Sequence, residues 1–339
     1  MSRRPFLAPV LLLVACSGDP SSPAEPDLRE AAGSAAAAGS WVTRAAYPAP
    51  IWEAASVSVT DPATLRTRLY VIGGKAKEFA SPGNITNVVK VYDAATNKWQ
   101  ARAPYPLRIR SPNAAELNGK IYVSGGWSRR FDEQHGVYRT DHVLQHHVYD
   151  IASNKWTRKR DIPSDTHNGV SAAYQGMIYV AAPCQSETLC GERPVGAIWR
   201  YNPANDTWVL LTQTPEDYRV GGFIGGKFYL VTDLGALKIY DVASNSWSTG
   251  PQRPKRLCLQ TSTTLQAKLY LTGFCDDEGP NSVYPTLVFD PKVGTWTEIT
   301  PAPFGTREYH TLARVWVNGV AGLDLIGGPK SGNHWRLVP

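Results

Sequence analysis

The stretch Tyr92-Asp93-Ala94-Ala95-Thr96-Asn97-Lys98-Trp99 is one of five copies of a single phrase in this 339-residue chain. Each copy has an aromatic residue, then Asp or Asn, a short polar segment and finally Trp. The other four copies run from Tyr149 to Trp156, Tyr201 to Trp208, Tyr240 to Trp247 and Phe289 to Trp296. A phrase that recurs at intervals of roughly 40 to 60 residues indicates a repeat architecture.

The segments between these tryptophans also share one order of features. A run of small and apolar residues, such as 111–117, precedes a tight turn, and a β-forming run such as Ile121-Tyr122-Val123 follows. Short runs of this kind, bounded by Gly, Pro, Asn and Asp, are typical of strands joined by hairpins. We find no sustained 3.6-residue apolar period after residue 40. The sequence therefore predicts an all-β domain with four strands in each repeat.

Three residue types have physical roles in such a unit. Gly-Gly, as at Gly73-Gly74, permits positive φ and close backbone approach where the second strand ends. The Asp or Asn after the aromatic residue can accept hydrogen bonds from its own turn. A Trp at the same place in every unit is expected to pack between neighbouring sheets.

Gly-Gly, Tyr-Asp and Trp in this order and at this period resemble the repeat of the kelch family of β-propellers, over residues 41–339. Six second-strand runs imply six blades. Blades 3, 4 and 5 depart from the family pattern, because Ala181-Ala182, Thr232-Asp233 and Thr272-Gly273 stand where the family prefers Gly-Gly. Blade 6 lacks the Tyr-Asp to Trp phrase after Gly328.

The two ends of the domain complement each other. Residues 41–44 resemble a fourth strand without the other three, and residues 334–338 resemble a third strand without a fourth. We therefore predict that both ends share blade 6 and that pairing of the N-terminal strand with the C-terminal strand closes the ring, which protects sheet edges.

The N-terminal segment has the features of an export signal. Arg3-Arg4 precedes an apolar stretch that is too short to span a membrane, and Leu13-Val14-Ala15-Cys16 matches a bacterial lipoprotein cleavage box. Residues 1–15 are thus predicted as signal peptide and Cys16 as the lipidated residue; the alternative is an ordinary signal peptide with an incidental Cys. The Ala-, Ser- and Pro-rich segment that follows Cys16 up to residue 40 is predicted to be a flexible tether. We expect an exported lipoprotein at the outer membrane or cell surface, with a periplasm-facing position as an alternative.

Four further cysteines are an even number in an exported domain. Cys184 and Cys190 lie in one loop, whereas Cys258 and Cys275 lie on or beside strands that should be hairpin neighbours. We predict the disulfides Cys184–Cys190 and Cys258–Cys275. The first pair lacks a nearby His spacing typical of zinc, and no motif assigns a metal or cofactor.

The formal net charge of +6 bears on the class of partner. We find no Lys/Arg-rich run with interleaved aromatic residues, so nucleic acid is not the expected partner. A basic exported surface suits acidic proteins or anionic glycans, with the membrane reached through the lipid alone. The oligomeric state stays open.

The resemblance implies a ligand face where first strands begin. The residues predicted at this channel mouth are Arg110, His167, Arg219, Arg256, Arg307, Glu308, Tyr309 and His310. Such cations could focus potential on an anionic ligand. The alternative is that these polar side chains bind water or satisfy backbone groups.

Two enzymatic alternatives come from the same resemblance. A relative of the six-bladed kelch enzymes that interconvert sialic-acid anomers would use Glu53 or Glu308 as acid/base, with Arg307 and Arg219 on the substrate carboxylate. Tyr309-His310 is similar to copper ligands of galactose oxidase, for which Cys258 and His167 would be further candidates. The first hypothesis remains a module that binds a protein or glycan, without catalytic residues.

The segments 75–87 and 127–142 are predicted to be long loops between second and third strands. Trp127, Arg129, Arg130, Phe131 and His135 in the latter suit a partner contact. Adjacent His146 and His147 point to opposite faces of a strand and are predicted to be structural or exposed.

Overall fold

The structure is a computed structural model. It describes residues 39–76, 84–183, 196–215, 218, 220–232, 234–255, 257, 259–274, 285–303, 310–328 and 332–338. Every regular element within these ranges is a β-strand. Over the same ranges, no helix has the length and apolar character needed to cross a membrane. The predicted signal peptide, Cys16, and both predicted disulfides (Cys184–Cys190 and Cys258–Cys275) lie outside the described residues.

Six antiparallel sheets of four strands form the six predicted blades. Blade 1 contains β2 (Ala55–Asp61), β3 (Arg66–Ile72), β4 (Val89–Asp93) and β5 (Lys98–Arg102); blade 2 contains β6 (Asn113–Leu117), β7 (Lys120–Ser124), β10 (His146–Asp150) and β11 (Lys155–Lys159). Blade 3 contains β12 (Val170–Tyr174), β13 (Met177–Ala182), β14 (Ala197–Asn202) and β15 (Thr207–Gln213); blade 4 contains β16 (Val220–Ile224), β17 (Lys227–Val231), β18 (Leu237–Asp241) and β19 (Ser246–Thr249). Blade 5 contains β20 (Leu259–Leu265), β21 (Lys268–Phe274), β22 (Thr286–Asp290) and β23 (Thr295–Ile299); blade 6 contains β24 (Thr311–Val317), β25 (Val320–Ile326), β26 (His334–Val338) and β1 (Ser40–Thr43).

The ring closes as predicted. β1 pairs antiparallel with β26, from Ser40 opposite Val338 to Thr43 opposite Trp335. The first strand of each blade contacts the first strand of the next, and β24 of blade 6 contacts β2 of blade 1. Six hydrophobic clusters form the core, and each lies between two neighbouring blades. Both chain ends of the domain are therefore held in one sheet.

One segment differs from the prediction. Residues 127–142 form a separate hairpin, β8 (Trp127–Asp132) with β9 (Val137–His142), instead of a loop. Phe131 lies opposite Tyr138, and Gly136 has a φ of 62° in the connecting turn. The facing aromatic residues and the turn glycine are the sequence signals for this hairpin, because such pairs stabilise neighbouring strands.

The repeat tryptophans join each blade to the preceding one. In every blade, the indole Nε1 donates a hydrogen bond to the residue four positions after the tryptophan of the preceding blade. The bonds are Trp99 to Ala45 O (2.8 Å), Trp156 to Ala103 O (3.0 Å), Trp208 to Arg160 O (2.9 Å), Trp247 to Thr212 Oγ1 (3.3 Å), Trp296 to Pro251 O (3.0 Å) and Trp41 to Thr300 O (3.5 Å). The predicted packing of Trp between sheets is therefore completed by a directional bond.

A second bond uses the residue two positions before the tryptophan. Asn154, with a φ of 56°, accepts hydrogen bonds at Oδ1 from the Tyr149 hydroxyl (2.6 Å) and from the Ala103 backbone N–H (2.9 Å). The same double contact recurs at Asn97, which accepts from Tyr92 and Ala45, and at Asp206, which accepts from Tyr201 and Arg160.

Blade 5 changes all members of this contact together. Gly294 stands in place of the acceptor, Phe289 in place of the tyrosine, and Pro251, which has no N–H, in place of the backbone donor. The substitutions leave no buried hydroxyl without a partner at this position, because the donor and the acceptor are both absent.

The Gly-Gly pairs have a similar role at the other end of the strands. Gly74, Gly126 and Gly328 donate their N–H groups to carbonyl oxygens of the next blade, at 2.7, 2.6 and 2.8 Å. A Cβ atom on Gly73 would lie 2.5 Å from the carbonyl oxygen of Ile109, so the close approach requires glycine. Blades 6, 1 and 2, which keep Gly-Gly, are thus bonded to blades 1, 2 and 3.

A buried charge cluster reinforces blade 6. Arg336 donates two hydrogen bonds to Asp324, at 2.6 and 2.7 Å, and His334 Nε2 lies 2.9 Å from the same carboxylate. Burial alone would raise the pKa of Asp324, but the hydrogen bonds from Arg336 and His334 outweigh it and lower that pKa. His334 Nδ1 also lies 3.1 Å from Ala45 O, so the cluster connects β25 and β26 with the chain that leaves β1.

His146 occupies the position in blade 2 that His334 occupies in blade 6, but without an acidic partner. It is fully buried against Tyr201 and Trp208, and burial lowers its pKa to about 4. Its neighbour His147 is also buried, with Nδ1 3.0 Å from the Tyr105 hydroxyl. Both histidines are therefore structural.

We expect Asn154→Gly to lower the free energy of unfolding by about 1–3 kcal/mol, because Tyr149 and Ala103 lose their shared acceptor while glycine tolerates the positive φ. Urea denaturation measures the change. In the Asn154→Gly variant, Tyr149→Phe should lower the free energy of unfolding much less than it does in the wild type, because the Tyr149 hydroxyl already lacks its acceptor. Additive effects of the two changes would contradict this account.

We expect His146→Leu, which copies Leu237 at the same position of blade 4, to reduce acid sensitivity. Between pH 6.5 and 4 the unfolded chain binds a proton at His146 that the folded chain excludes, so wild-type stability falls as pH falls. The difference in free energy of unfolding between the variant and the wild type should change by about 3 kcal/mol over this range, in favour of the variant at low pH. Denaturation curves at pH 7.5, 5.5 and 4.5 measure it; parallel pH profiles of the two proteins would refute the assignment.

Candidate binding face

Three of the eight residues predicted at the channel mouth lie in the described part of the chain. Arg110 and His167 both contact the Trp127 ring, whereas His310 lies against Trp335 in blade 6, with ring centroids 5.7 Å apart. Arg219, Arg256, Arg307, Glu308 and Tyr309 lie outside the described residues. The described part of the face therefore belongs mainly to blades 1 to 3.

Two backbone bridges place cations over aromatic rings on this face. Trp52, just before the first strand of blade 1, forms an isolated backbone β-bridge with Lys75, which follows Gly73-Gly74. At the matching positions of blade 2, Arg110 forms the same kind of β-bridge with Trp127. Lys75 Nζ lies 4.0 Å from the Trp52 ring centroid, and the Arg110 guanidinium carbon lies 4.1 Å from that of Trp127. The two blades thus have the same cation–π contact, but the aromatic residue comes before the first strand in blade 1 and after Gly-Gly in blade 2. Each contact restrains an otherwise flexible cation.

Glu53 connects these two pairs. Its Oε1 lies 3.3 Å from Lys75 Nζ, and its Oε2 accepts a hydrogen bond of 2.6 Å from Arg110. Burial lowers the pKa of Lys75 and Arg110 adds to the shift, while Glu53 opposes it. The result is a continuous row of Trp52, Lys75, Glu53, Arg110 and Trp127, in which one carboxylate holds two cations.

The row continues into blade 3 through histidines. The rings of Trp127 and His167 lie 4.1 Å apart, and the fully buried Asp165 has Oδ1 3.6 Å from His167 Nδ1 and Oδ2 2.8 Å from His142 Nδ1. Burial tends to raise the pKa of Asp165, but hydrogen bonding and charge from His167 and His142 lower it overall. The His142 side chain, at the end of β9, keeps 32% of its surface exposed. Asp165 is thereby placed beside a partly exposed histidine at the edge of the face.

The backbone of this face is held in an uncommon conformation. Glu53, Ser111 and Asn168 precede the first strands of blades 1, 2 and 3, and their φ values are 52°, 54° and 48°. Ser111 N–H donates to Glu53 O at 2.7 Å, and Asn168 N–H donates to Ser111 O at 3.0 Å. Positive φ in non-glycine residues costs about 1 kcal/mol or more each and clusters at functional sites.

The β8–β9 hairpin is mounted on this row. Trp127 begins β8 and His142 ends β9, so the contacts with Arg110 and Asp165 hold both ends of the hairpin. Phe131 and Tyr138 remain 46% and 42% exposed, with ring centroids 4.8 Å apart. The hairpin therefore presents an aromatic pair to solvent on a fixed support.

Ion pairs surround the exposed aromatic pair. Arg139 Nε lies 2.5 Å from Asp132 Oδ2, and Arg130 Nε lies 3.4 Å from Asp141 Oδ2. Within the described ranges, no group of three or more His, Cys, Asp or Glu side chains is arranged to hold a metal ion. This face has the composition of a contact surface, with aromatic side chains and arginines at its centre.

Comparisons with known proteins agree with this fold. The chain is 25% identical over 256 residues to the Kelch-like protein terF of Aspergillus terreus, 23% over 248 residues to Kelch-like protein 25 of Xenopus tropicalis, and 27% over 208 residues to the human Kelch repeat and BTB domain-containing protein 12. These alignments cover 69%, 70% and 55% of this chain, but they span only 54%, 40% and 33% of the relatives.

The solved structure of YjhT is similar, with a TM-score of 0.61 and 16% identity, covering 86% of this chain and 94% of that one. No protein-family model matches the sequence. The repeat phrase, the ring of six four-stranded blades and these similarities make the chain a kelch-type six-bladed β-propeller.

Proposed function

We propose that this propeller is a binding module whose partner is a protein, docked on the face formed by the β8–β9 hairpin and the row from Trp52 to His142. Propellers of the kelch type generally mediate protein interactions. The observation that carries the proposal is the exposed Phe131–Tyr138 pair, held on a hairpin whose two ends are fixed to blades 2 and 3. Rigid exposed aromatic residues supply contact area at little entropic cost.

The net charge of the chain, and not the local charge of this face, favours an acidic partner. Arg129, Arg130 and Arg139 lie on the hairpin, and Lys75 and Arg110 lie in the row below it, in a chain of net charge +6. Five carboxylates on the same hairpin and row offset these five positive charges: Asp132, Glu133, Asp141, Glu53 and Asp165. The face is therefore close to neutral, and the net charge of the whole chain would steer an acidic protein towards it. An anionic glycan carries charge of the same sign as an acidic protein and is the alternative partner.

A second candidate function is acid–base chemistry on an acidic sugar, of the anomer-interconverting kind. The 2.8 Å distance between Asp165 Oδ2 and His142 Nδ1 favours it, because a carboxylate next to an imidazole stabilises the protonated form of a general base. Arg110 lies in the same row and is the described candidate for a substrate carboxylate. Glu53 suits the acid/base role less well than the sequence suggested, because it already contacts Lys75 and Arg110. NMR exchange between the anomers of sialic acid, compared between wild type and His142→Gln, tests this candidate.

We also propose that the module is exported and held at the membrane surface by a lipid on Cys16. The supporting observations are the basic and apolar residues before Leu13-Val14-Ala15-Cys16 and the Ala- and Ser-rich tether that follows. A tether of this composition would allow the propeller to reach partners away from the membrane.

Changing Phe131 and Tyr138 together to Ser should weaken partner binding more than tenfold, because aromatic anchors carry most of the energy of a contact surface. Cross-linking in the host cell envelope should capture the partner with the wild type and not with this variant. Titration of the purified partner against both proteins then measures the loss of affinity. Val293→Ser is the matched control, because Val293 is exposed on a turn at the opposite end of the strands. Equal binding by the double variant and the control would overturn the proposed face.

The lipid anchor predicts that the full chain incorporates radiolabelled palmitate in a bacterial host and fractionates with membranes. Cys16→Ser should abolish the label, whereas Ser17→Ala should leave it, because only the thiol accepts the lipid. Labelling of Cys16→Ser would refute Cys16 as the lipidated residue, and a wild-type chain without label would refute the anchor and support the ordinary signal peptide.

A further inference from the structure

The outer strand of blade 3 differs from the outer strands of the other blades. β15 has seven residues, Thr207-Trp208-Val209-Leu210-Leu211-Thr212-Gln213, whereas the corresponding strands of the other five blades have four or five. Two exposed apolar side chains follow its tryptophan, Val209 and Leu210, with 43% and 46% of their surface accessible. The matching residues are Thr157 and Arg158 in blade 2, Ser248 and Thr249 in blade 4, and Thr297 and Glu298 in blade 5.

Edges of sheets are normally protected from pairing with other chains. Charged side chains and short strands provide this protection, and β5 and β11 carry Lys or Arg at both ends. β15 has no charged residue, and it pairs only with β14 among the described strands. A register shift follows Leu210, so the regular edge runs from Thr207 to Leu210.

We propose that two copies of this chain associate through β15, edge to edge and antiparallel. The segment must meet a partner strand that is extended, apolar and free of charge, because a lysine or glutamate opposite Val209 or Leu210 would be desolvated without an ion-pair partner. A second β15 meets these requirements, and antiparallel pairing of identical strands gives a closed two-fold dimer instead of a growing fibre. The net charge of +6 opposes association at cationic edges such as β5 and β11, whereas the uncharged β15 adds no local repulsion.

The size of the contact sets the strength of the dimer. Four regular residues per strand bury far less than the about 1,600 Å² of a stable complex. We therefore infer a weak dimer that forms when copies are concentrated, as on one membrane. The association uses blade 3 and leaves the hairpin of blade 2 accessible, so it is independent of the proposed partner contact.

Site-specific photo-cross-linking in the purified full chain at high protein concentration tests the proposal, so that the result does not depend on the lipid anchor. A p-benzoyl-phenylalanine in place of Val209 should yield a cross-linked species at twice the mass of the uncross-linked chain in the same sample. The same probe in place of Gln100, the matching residue of β5, is the control and should yield none. Adding Leu210→Lys to the Val209 probe should reduce the dimer at least tenfold, because the partner strand would bury an unpaired charge.

Each outcome decides the proposal. Absence of the dimer band, or a dimer that persists with Leu210→Lys, would overturn it. Leu210→Lys changes an exposed side chain, and an unchanged unfolding curve of that variant would show that loss of the dimer is not loss of folding.

Discussion

The hydrogen bond from each repeat tryptophan to the preceding blade is the constraint on which the ring depends. A propeller blade buries apolar surface on both faces, but burial alone does not fix how far one sheet turns relative to the next. The bond from Trp156 to Ala103, and its counterparts around the ring, give that angle a directional reference. Because Asn154 also binds Ala103 and Tyr149, one short segment of blade 1 positions both the outer strand and the third strand of blade 2.

The tryptophan contacts also have to be made in blade 6, where the first and last strands of the domain meet. Trp41 makes the contact from β1 to Thr300 of blade 5, and Trp99 returns it from blade 1 to Ala45, just after β1. The cluster of Asp324, His334 and Arg336 lies at this junction, which has no covalent connection between its strands β1 and β26. Removing one member of a buried charge cluster is strongly destabilising. The stability of the closed ring therefore depends on the contacts among Asp324, His334 and Arg336.

Function is expected where the repeats cease to be equivalent. Blades 1 and 2 keep the same bridge after Gly-Gly but exchange cation and aromatic residue, which allows Glu53 to join Lys75 and Arg110 across the blade boundary. Blade 2 alone among the described parts inserts the β8–β9 hairpin, and blade 3 alone has an exposed apolar pair on its outer strand. The same contacts between blades thus support three different surfaces: the row around Glu53, the β8–β9 hairpin and the outer strand of blade 3.

The six blades, the four-strand order and the closure of blade 6 were predictable from the sequence, because the aromatic-Asp/Asn to Trp phrase marks five of the six repeats and Gly-Gly marks three. It also singled out Arg110 and His167, since polar residues at the start of first strands face one end of a propeller. The folded chain joins them through Trp127, brings Lys75, His142 and Asp165 to the same face, and has a hairpin at residues 127–142. Those contacts cross blade boundaries and bring together residues far apart in the chain, so local periodicity holds no record of them; they follow from the angle and register at which neighbouring sheets pack.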